Sequence, residues 1–156
     1  METLSKLERQ AEIPSVYDEM FCRFGEDNTP FIRKYLAQAL YEKARYFGHL
    51  AEKENSLAAY ALALYDELLQ KFGNETDTEI KQKVAKAMNR KGFVLSYLVD
   101  REEDAIKVYD ACIQKFGNET DIAIKQTVAE AMRYKSIVLS GNFCREQFLE
   151  ELYRSV

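Results

Sequence analysis

The sequence predicts an all-α protein, a solenoid of about three helical hairpins closed by a C-terminal helix. Three observations carry this prediction. Lys71-Phe72-Gly73-Asn74-Glu75-Thr76-Asp77 recurs as Lys115-Phe116-Gly117-Asn118-Glu119-Thr120-Asp121, at a separation of 116 − 72 = 44 residues. Around it, residues 65–108 align with 109–152 without a gap, and 23 of the 44 pairs are identical. The segment after each copy has apolar residues at helical spacing. Finally, only two prolines and six glycines interrupt 156 residues rich in Ala, Leu, Lys, Glu and Gln, and no segment reads as a strand. A period of about 45 residues belongs to stacked helical repeats, which usually make surfaces for partners.

A weaker third copy lies upstream. Tyr17-Asp18-Glu19 and Phe24-Gly25 match Tyr65-Asp66-Glu67 and Phe72-Gly73 at an offset of 72 − 24 = 48 residues, and the four extra residues fall between Leu50 and Leu57. One domain is therefore expected over 1–156, with units of about 17–64, 65–108 and 109–152 and a cap over 145–156.

Each unit contributes a helix before the turn and a helix after it. The post-turn helix starts, in the first unit, at Thr29-Pro30, with a capping side chain followed by a proline at the first helical position. Asp77 and Asp121 align with Thr29 and are expected to cap the other two. Ile80, Val84, Ala87, Met88, Val94, Leu95 and Leu98 form the apolar stripe of the second unit. Its equivalents are Ile32, Leu36, Ala39, Leu40, Tyr46, Phe47 and Leu50 in the first unit, and Ile124, Val128, Ala131, Met132, Val138 and Leu139 in the third. The pre-turn helices carry Ala61, Leu64, Tyr65, Leu68, Leu69 and Phe72, and Ala105, Val108, Tyr109, Cys112, Ile113 and Phe116. Tyr17, Tyr65, Tyr109 and Tyr153 recur at one position and read as packing residues. Gly25, Gly73 and Gly117 follow these helices and suit a left-handed terminating residue.

At the C-terminal end, Phe148, Leu149, Leu152 and Tyr153 lie on one side of Arg145 to Arg154, with acidic and amide residues opposite, as a closing helix requires. Leu4, Leu7 and Ala11 are expected to close the other end, with Pro14 starting the next helix. The turn motif itself is a poor phosphate loop, having one glycine and acidic neighbours.

The net charge of −4 and pI near 5.2 weigh against a general nucleic-acid binder, which needs a concentrated basic face, and make a basic partner easier to accommodate. The start of the chain lacks the apolar core of a secretory signal, and the longest apolar run, Ala58 to Tyr65, is too short to span a bilayer. A cytoplasmic, membrane-free protein is expected. Cys22, Cys112 and Cys144 occupy non-equivalent positions and read as reduced thiols, with Cys144, in a turn, the most reactive.

Paired helices with small residues at their crossings, such as Ala85, Gly92 and Ala105, and a tyrosine in the second helix, as in Glu102-Glu103-Asp104-Ala105-Ile106-Lys107-Val108-Tyr109, resemble tetratricopeptide repeats over roughly residues 12–155. The unit is about ten residues longer than the usual length of about 34. It also lacks tryptophan and a closing proline. The resemblance implies a right-handed superhelix whose concave face is lined by the post-turn helices and holds a peptide, a helix or a protein partner.

Aligning Gly92 with the family's small residue makes Lys86, Asn89, Arg90, Phe93 and Tyr97 inward in the second unit. Gln38, Tyr41, Glu42, Arg45 and His49 follow in the first, and Glu130, Arg133, Tyr134 and Ile137 in the third. The expected partner-binding set is Tyr41, Arg45, His49, Lys86, Asn89, Arg90, Phe93, Tyr97, Arg133 and Tyr134, a mixture of aromatic rings and arginines of the kind that anchors interfaces. Packing of Tyr41, Phe93 and Ile137 against the neighbouring unit is the competing account. Chaperone-binding members of the family grip a terminal carboxylate with Lys, Asn and Arg. Lys86 and Arg90 fit part of that pattern, and Tyr41 and Tyr134 do not continue it. Lys43, Lys91 and Lys135 lie within or beside the apolar stripe in all three units, either as stems covering apolar surface or as a ladder of cations for an acidic ligand.

Chemistry is poorly served by these residues. His49 is the single histidine, and no cysteine pair has zinc-ligand spacing. No catalytic, metal or cofactor site is expected, and the chain reads as non-enzymatic. Three readings follow: an adaptor or scaffold docking a protein or peptide on the concave face; a small immunity- or antitoxin-like inhibitor with one dedicated partner; and a self-associating structural module.

Overall fold

The computed structural model describes the backbone of residues 2–141, and the side chains of Glu12 and of residues 14–141. Among the described residues every regular element is helical: α1 (Glu2–Phe24), α2 (Pro30–Ala51), α3 (Ala58–Phe72), α4 (Thr78–Ser96), α5 (Glu102–Phe116) and α6 (Ile122–Leu139), with a 3-10 turn at Asn55–Leu57. The expected closing helix at 145–154, with Cys144 and Tyr153, lies outside the described residues.

Each helix packs on the next in sequence, so α1/α2, α3/α4 and α5/α6 are pairs joined by the heptapeptide turn or its first-unit equivalent. Among the post-turn helices, α4 packs on both α2 and α6. The pre-turn helices approach less closely. α1 meets α3 through long side chains, with Tyr17 donating to Glu67 Oε1 at 3.1 Å and Lys71 Nζ lying 3.5 Å from the Phe21 ring centre. The four extra residues of the first unit are spent on a longer α2 and the 3-10 turn.

The core runs continuously through these layers. Tyr17, Tyr65 and Tyr109 are all buried and pack in the core, as their recurrence predicts. Leu36, Leu40, Ile80, Val84, Leu95 and Ile124 fill the stripes as the periodicity predicts. Met132 and Leu139 do not follow it, because both are exposed. Their counterparts Met88 and Leu95 sit in a helix flanked by α2, α3, α5 and α6, whereas α6 has only α4 and α5 beside it among the described elements. Cys112 replaces an apolar core residue and is buried. The loss of hydration pushes its thiol up to about 12, which leaves it uncharged and inert at neutral pH.

Three local expectations are corrected. Pro14 lies inside α1 instead of starting a helix. Its fixed φ suits a helix and costs one backbone bond, while Tyr17, Met20 and Phe21 hold the following turns on the core. Gly25, Gly73 and Gly117 are not left-handed. Gly73 (φ −60°) and Gly117 (φ −59°) remain right-handed, and their N–H groups donate to Leu69 and Ile113 at 2.9 and 2.8 Å. Glycine is needed there for room, since a Cβ would stand 2.6 Å from the Ile113 oxygen at Gly117 and 2.5 Å from the Phe21 oxygen at Gly25. The third correction is Thr29, which occupies the cap position of α2 without a side-chain cap bond.

Asp77 and Asp121 do cap α4 and α6. Asp77 Oδ1 accepts from Glu79 and Ile80 at 3.0 and 3.3 Å, and Asp121 Oδ1 from Ile124 at 3.0 Å. Asp77→Ala should therefore lower stability by about 1 kcal/mol in urea unfolding, while Thr29→Ala should change it little. Equal losses at the two positions would remove the cap bond as the cause.

The same turns also bind each unit to the one before. Arg33 Nε donates to Glu75 at 2.5 Å and Lys81 Nζ to Glu119 at 2.7 Å. Lys34 meets Asp77 at 3.1 Å, and Gln82 donates to Asp121 at 3.1 Å. The repeated Glu and Asp of the heptapeptide are thus receptors for the preceding post-turn helix. That role accounts for their recurrence beyond capping.

Candidate functional site

Spacing of three and four along a helix puts residues on one face. Residues 83, 86 and 90 share such a face of α4, 38, 42 and 45 one of α2, and 123, 126 and 130 one of α6. Because α2 and α6 both stand beside α4, these faces meet around a cavity of about 370 Å³. Seven of the expected partner-binding residues line it: Tyr41, Arg45, Lys86, Asn89, Arg90, Phe93 and Tyr134.

The other three lie elsewhere. His49 is in a narrow crevice beside Arg45, Arg90 and Phe93, with Nδ1 3.4 Å from Glu52 Oε1. Tyr97 packs edge-on against Phe93 at 5.3 Å and donates to the Gly48 carbonyl at 3.3 Å. Arg133 is exposed, its guanidinium 5.0 Å from the Tyr134 ring centre. Packing also claims part of the lining itself. Tyr41, Asn89, Phe93 and Tyr134 are buried side chains whose edges form the cavity floor.

The charge of the lining is not evenly paired. Glu42 is held within α2, accepting from Arg45 Nε at 3.0 Å and Nη2 at 2.7 Å and from Gln38 at 2.8 Å. No carboxylate lies within ion-pair distance of Lys83, Lys86 or Arg90 among the described residues. The Arg90 guanidinium faces the Tyr41 hydroxyl, and Lys83 lies 5.7 Å from the Tyr41 ring centre. Loss of hydration, together with neighbouring Lys86, lowers the Lys83 ammonium below its ordinary range. Burial likewise raises the Tyr41 phenol, against the pull of Arg90 and Arg45, so the hydroxyl stays protonated and able to donate.

Asn89 completes the floor. Its amide nitrogen donates to the Thr127 carbonyl at 2.8 Å, tying α4 to α6, while Oδ1 has no hydrogen-bond partner among the described residues. At 4% exposure this leaves a buried acceptor beside the cations.

The lysine ladder is something else. Lys43, Lys91 and Lys135 reach Asp18, Asp66 and Asp110 at 2.8, 2.5 and 2.5 Å, each pair 25 residues apart. The ammonium groups satisfy an aspartate of their own hairpin, which removes the ladder as a ligand site. The signal was present, because Tyr-Asp precedes every one of these lysines by the same interval.

Sequence reasoning missed Lys83, Gln126 and Thr127 in the lining, and Phe31 and Tyr35 nearby. Phe31 and Tyr35 are exposed, stack edge-on at 4.8 Å, and border a second cavity of about 380 Å³ that shares Lys83 with the first. The helical spacing extended one turn toward each N-terminus, through 31, 35 and 38 and through 83 and 86, would have found them.

No helix among the described residues is long and apolar enough to cross a membrane, and no group of His, Cys, Asp and Glu there could hold a metal ion. No protein-family model, curated protein or solved structure matches the chain.

Proposed function

We propose that the chain is a non-enzymatic, tetratricopeptide-like interaction module that docks a protein or peptide on the face formed by α2, α4 and α6. The observation that carries this is the cavity between those helices, with cations and ring edges of three successive units converging on it. The closer approach of the post-turn helices than of the pre-turn helices supports a concave inner face and a superhelical stack, as the resemblance implies.

Local charge here outweighs net charge. The lining holds Lys83, Lys86 and Arg90 without ion-pair partners, against Glu130, and its Glu42 is already bound to Arg45. An acidic segment fits such a groove better than the basic partner suggested by the overall −4. Exposed Phe31 and Tyr35, one step along the same face, would take an apolar side chain of that segment.

Charge reversal tests the reading more cleanly than removing Phe93 or Tyr97, whose loss would disturb packing. Lys83→Glu/Lys86→Glu should abolish capture of the partner from native lysate, with helicity by far-UV circular dichroism unchanged. Undiminished capture would exclude this face. A captured protein whose activity falls on binding would identify the chain as a dedicated inhibitor, and higher oligomers by light scattering that vanish with the variant would identify self-association.

A further inference from the structure

The cavity between α2, α4 and α6 is built for a more specific chemistry than a generally acidic segment. We infer that it binds a dianionic phosphate monoester, using Lys83, Lys86 and Arg90 with the Tyr41 hydroxyl as donors, the ester being carried on a partner's side chain or on a small molecule. The inference rests on the reading of this cavity as a binding surface and names its ligand.

The first argument is charge. Four cations and two carboxylates line the cavity; Glu42 and Arg45 cancel, leaving Lys83, Lys86 and Arg90 against Glu130, a net of 3 − 1 = +2. Elsewhere Lys34, Lys43, Lys71, Lys81, Lys91, Lys107 and Lys135 each reach a carboxylate, and the described lysines that do not, Lys53, Lys115 and Lys125, are exposed to water. Leaving three cations unpaired at one place, partly out of water, disfavours the protein unless an anion is supplied. A single carboxylate neutralises one of two charges; a phosphate monoester at neutral pH neutralises both and presents several acceptor oxygens.

The second argument is the placement of the same donors. Arg90 and Lys86 are one turn apart on α4, as are Lys86 and Lys83, so three donors line one side of the cavity. A planar guanidinium beside ammonium groups is the donor set that suits phosphate oxygens. On the floor, buried Asn89 is held in place by its amide nitrogen's bond to the Thr127 carbonyl. The volume of about 370 Å³ holds a phosphate group with a few flanking atoms and does not demand a long chain.

The test uses the full chain, labelled with nitrogen-15, in a chloride buffer at pH 7.5. Phenyl phosphate and phenyl sulfate share a shape and differ in charge at that pH. Phenyl phosphate should give saturable amide shifts centred on Lys83, Lys86, Asn89 and Arg90, with affinity at least about tenfold above phenyl sulfate. Arg90→Gln should weaken it by about 10- to 100-fold, as expected for a hydrogen bond to a charged group, and Lys83→Gln/Lys86→Gln should do so with unchanged thermal unfolding.

A serine phosphopeptide and inorganic phosphate distinguish the sources. Tighter binding of the phosphopeptide assigns the ester to a protein partner, and tighter binding of phenyl phosphate than of any phosphopeptide assigns it to a small molecule. Both outcomes support the inference. Equal binding of phenyl phosphate and phenyl sulfate, shifts centred outside these residues, or no saturable shift would overturn it. Such a result with lysate capture still lost in Lys83→Glu/Lys86→Glu would leave the docking face standing; saturable phosphate binding with capture unaffected would instead remove the docking face.

Discussion

Phe72→Ala should lower stability by about 3 to 5 kcal/mol, the cost of deleting a large ring from a well-packed site. Phe72 is 2% exposed, closes α3 against the core, and carries the Arg33 guanidinium of the preceding unit 5.0 Å from its ring centre. It therefore packs within its own hairpin and between units. Phe116, at the same place in the next copy, is equally buried and should show a loss of the same size. Phe24 occupies that position in the first unit but is 43% exposed, with no earlier unit packed on it among the described residues. Phe24→Ala should cost less than about 1 kcal/mol, as surface truncations do. Urea unfolding gives the comparison directly, provided the slope is unchanged so that the midpoints report stability. Equal losses at positions 24 and 72 would show that the turn does not gain its stability from the preceding unit.

Gly92→Ala should also destabilise, by about 1 to 3 kcal/mol, although alanine is the better helix former by about 1 kcal/mol. A Cβ at this position would stand 2.6 Å from Tyr109 Cε1 and 2.7 Å from its Cζ. The Tyr109 ring is wholly buried and cannot swing aside. In α2 the residue aligned with Gly92 is Ala44, and Gly48, one turn further on, crosses Tyr65 differently: its Cβ would first meet the hydroxyl oxygen, at 3.0 Å. Only the far end of the ring must yield there, so Gly48→Ala should be nearly neutral. Combining Gly92→Ala with Tyr109→Leu should cost less than the sum of the two single changes, because the smaller side chain opens the space the methyl needs. Strict additivity would show that the crossing is not the source of the loss.

These two pairs show how a repeat can be legible while its energetics are not. The repeat aligns Phe24, Phe72 and Phe116 at one position, yet Phe72 and Phe24 differ in burial because the first has a described unit packed before it. Likewise seven of the ten residues that periodicity and the resemblance gave as the partner-binding set meet at one cavity. What periodicity could not separate was wall from floor. Phe93 and Tyr134 are positioned as binding residues by spacing, but the approach of α2, α4 and α6 buries most of each ring.

The sequence by itself determined that the described chain is helical, where the repeated turns at 73–77 and 117–121 fall, that Asp77 and Asp121 cap, and that Tyr17, Tyr65 and Tyr109 pack inward. Those properties depend on interactions within a few residues or on a helical period, both visible in a linear string. Only the tertiary structure decided that Lys43, Lys91 and Lys135 are spent on aspartates 25 residues away, while Lys83, Lys86 and Arg90 have none. A charge is paired or unpaired according to which helix stands beside it, and that neighbour is chosen by the packing of whole helices rather than by any local pattern.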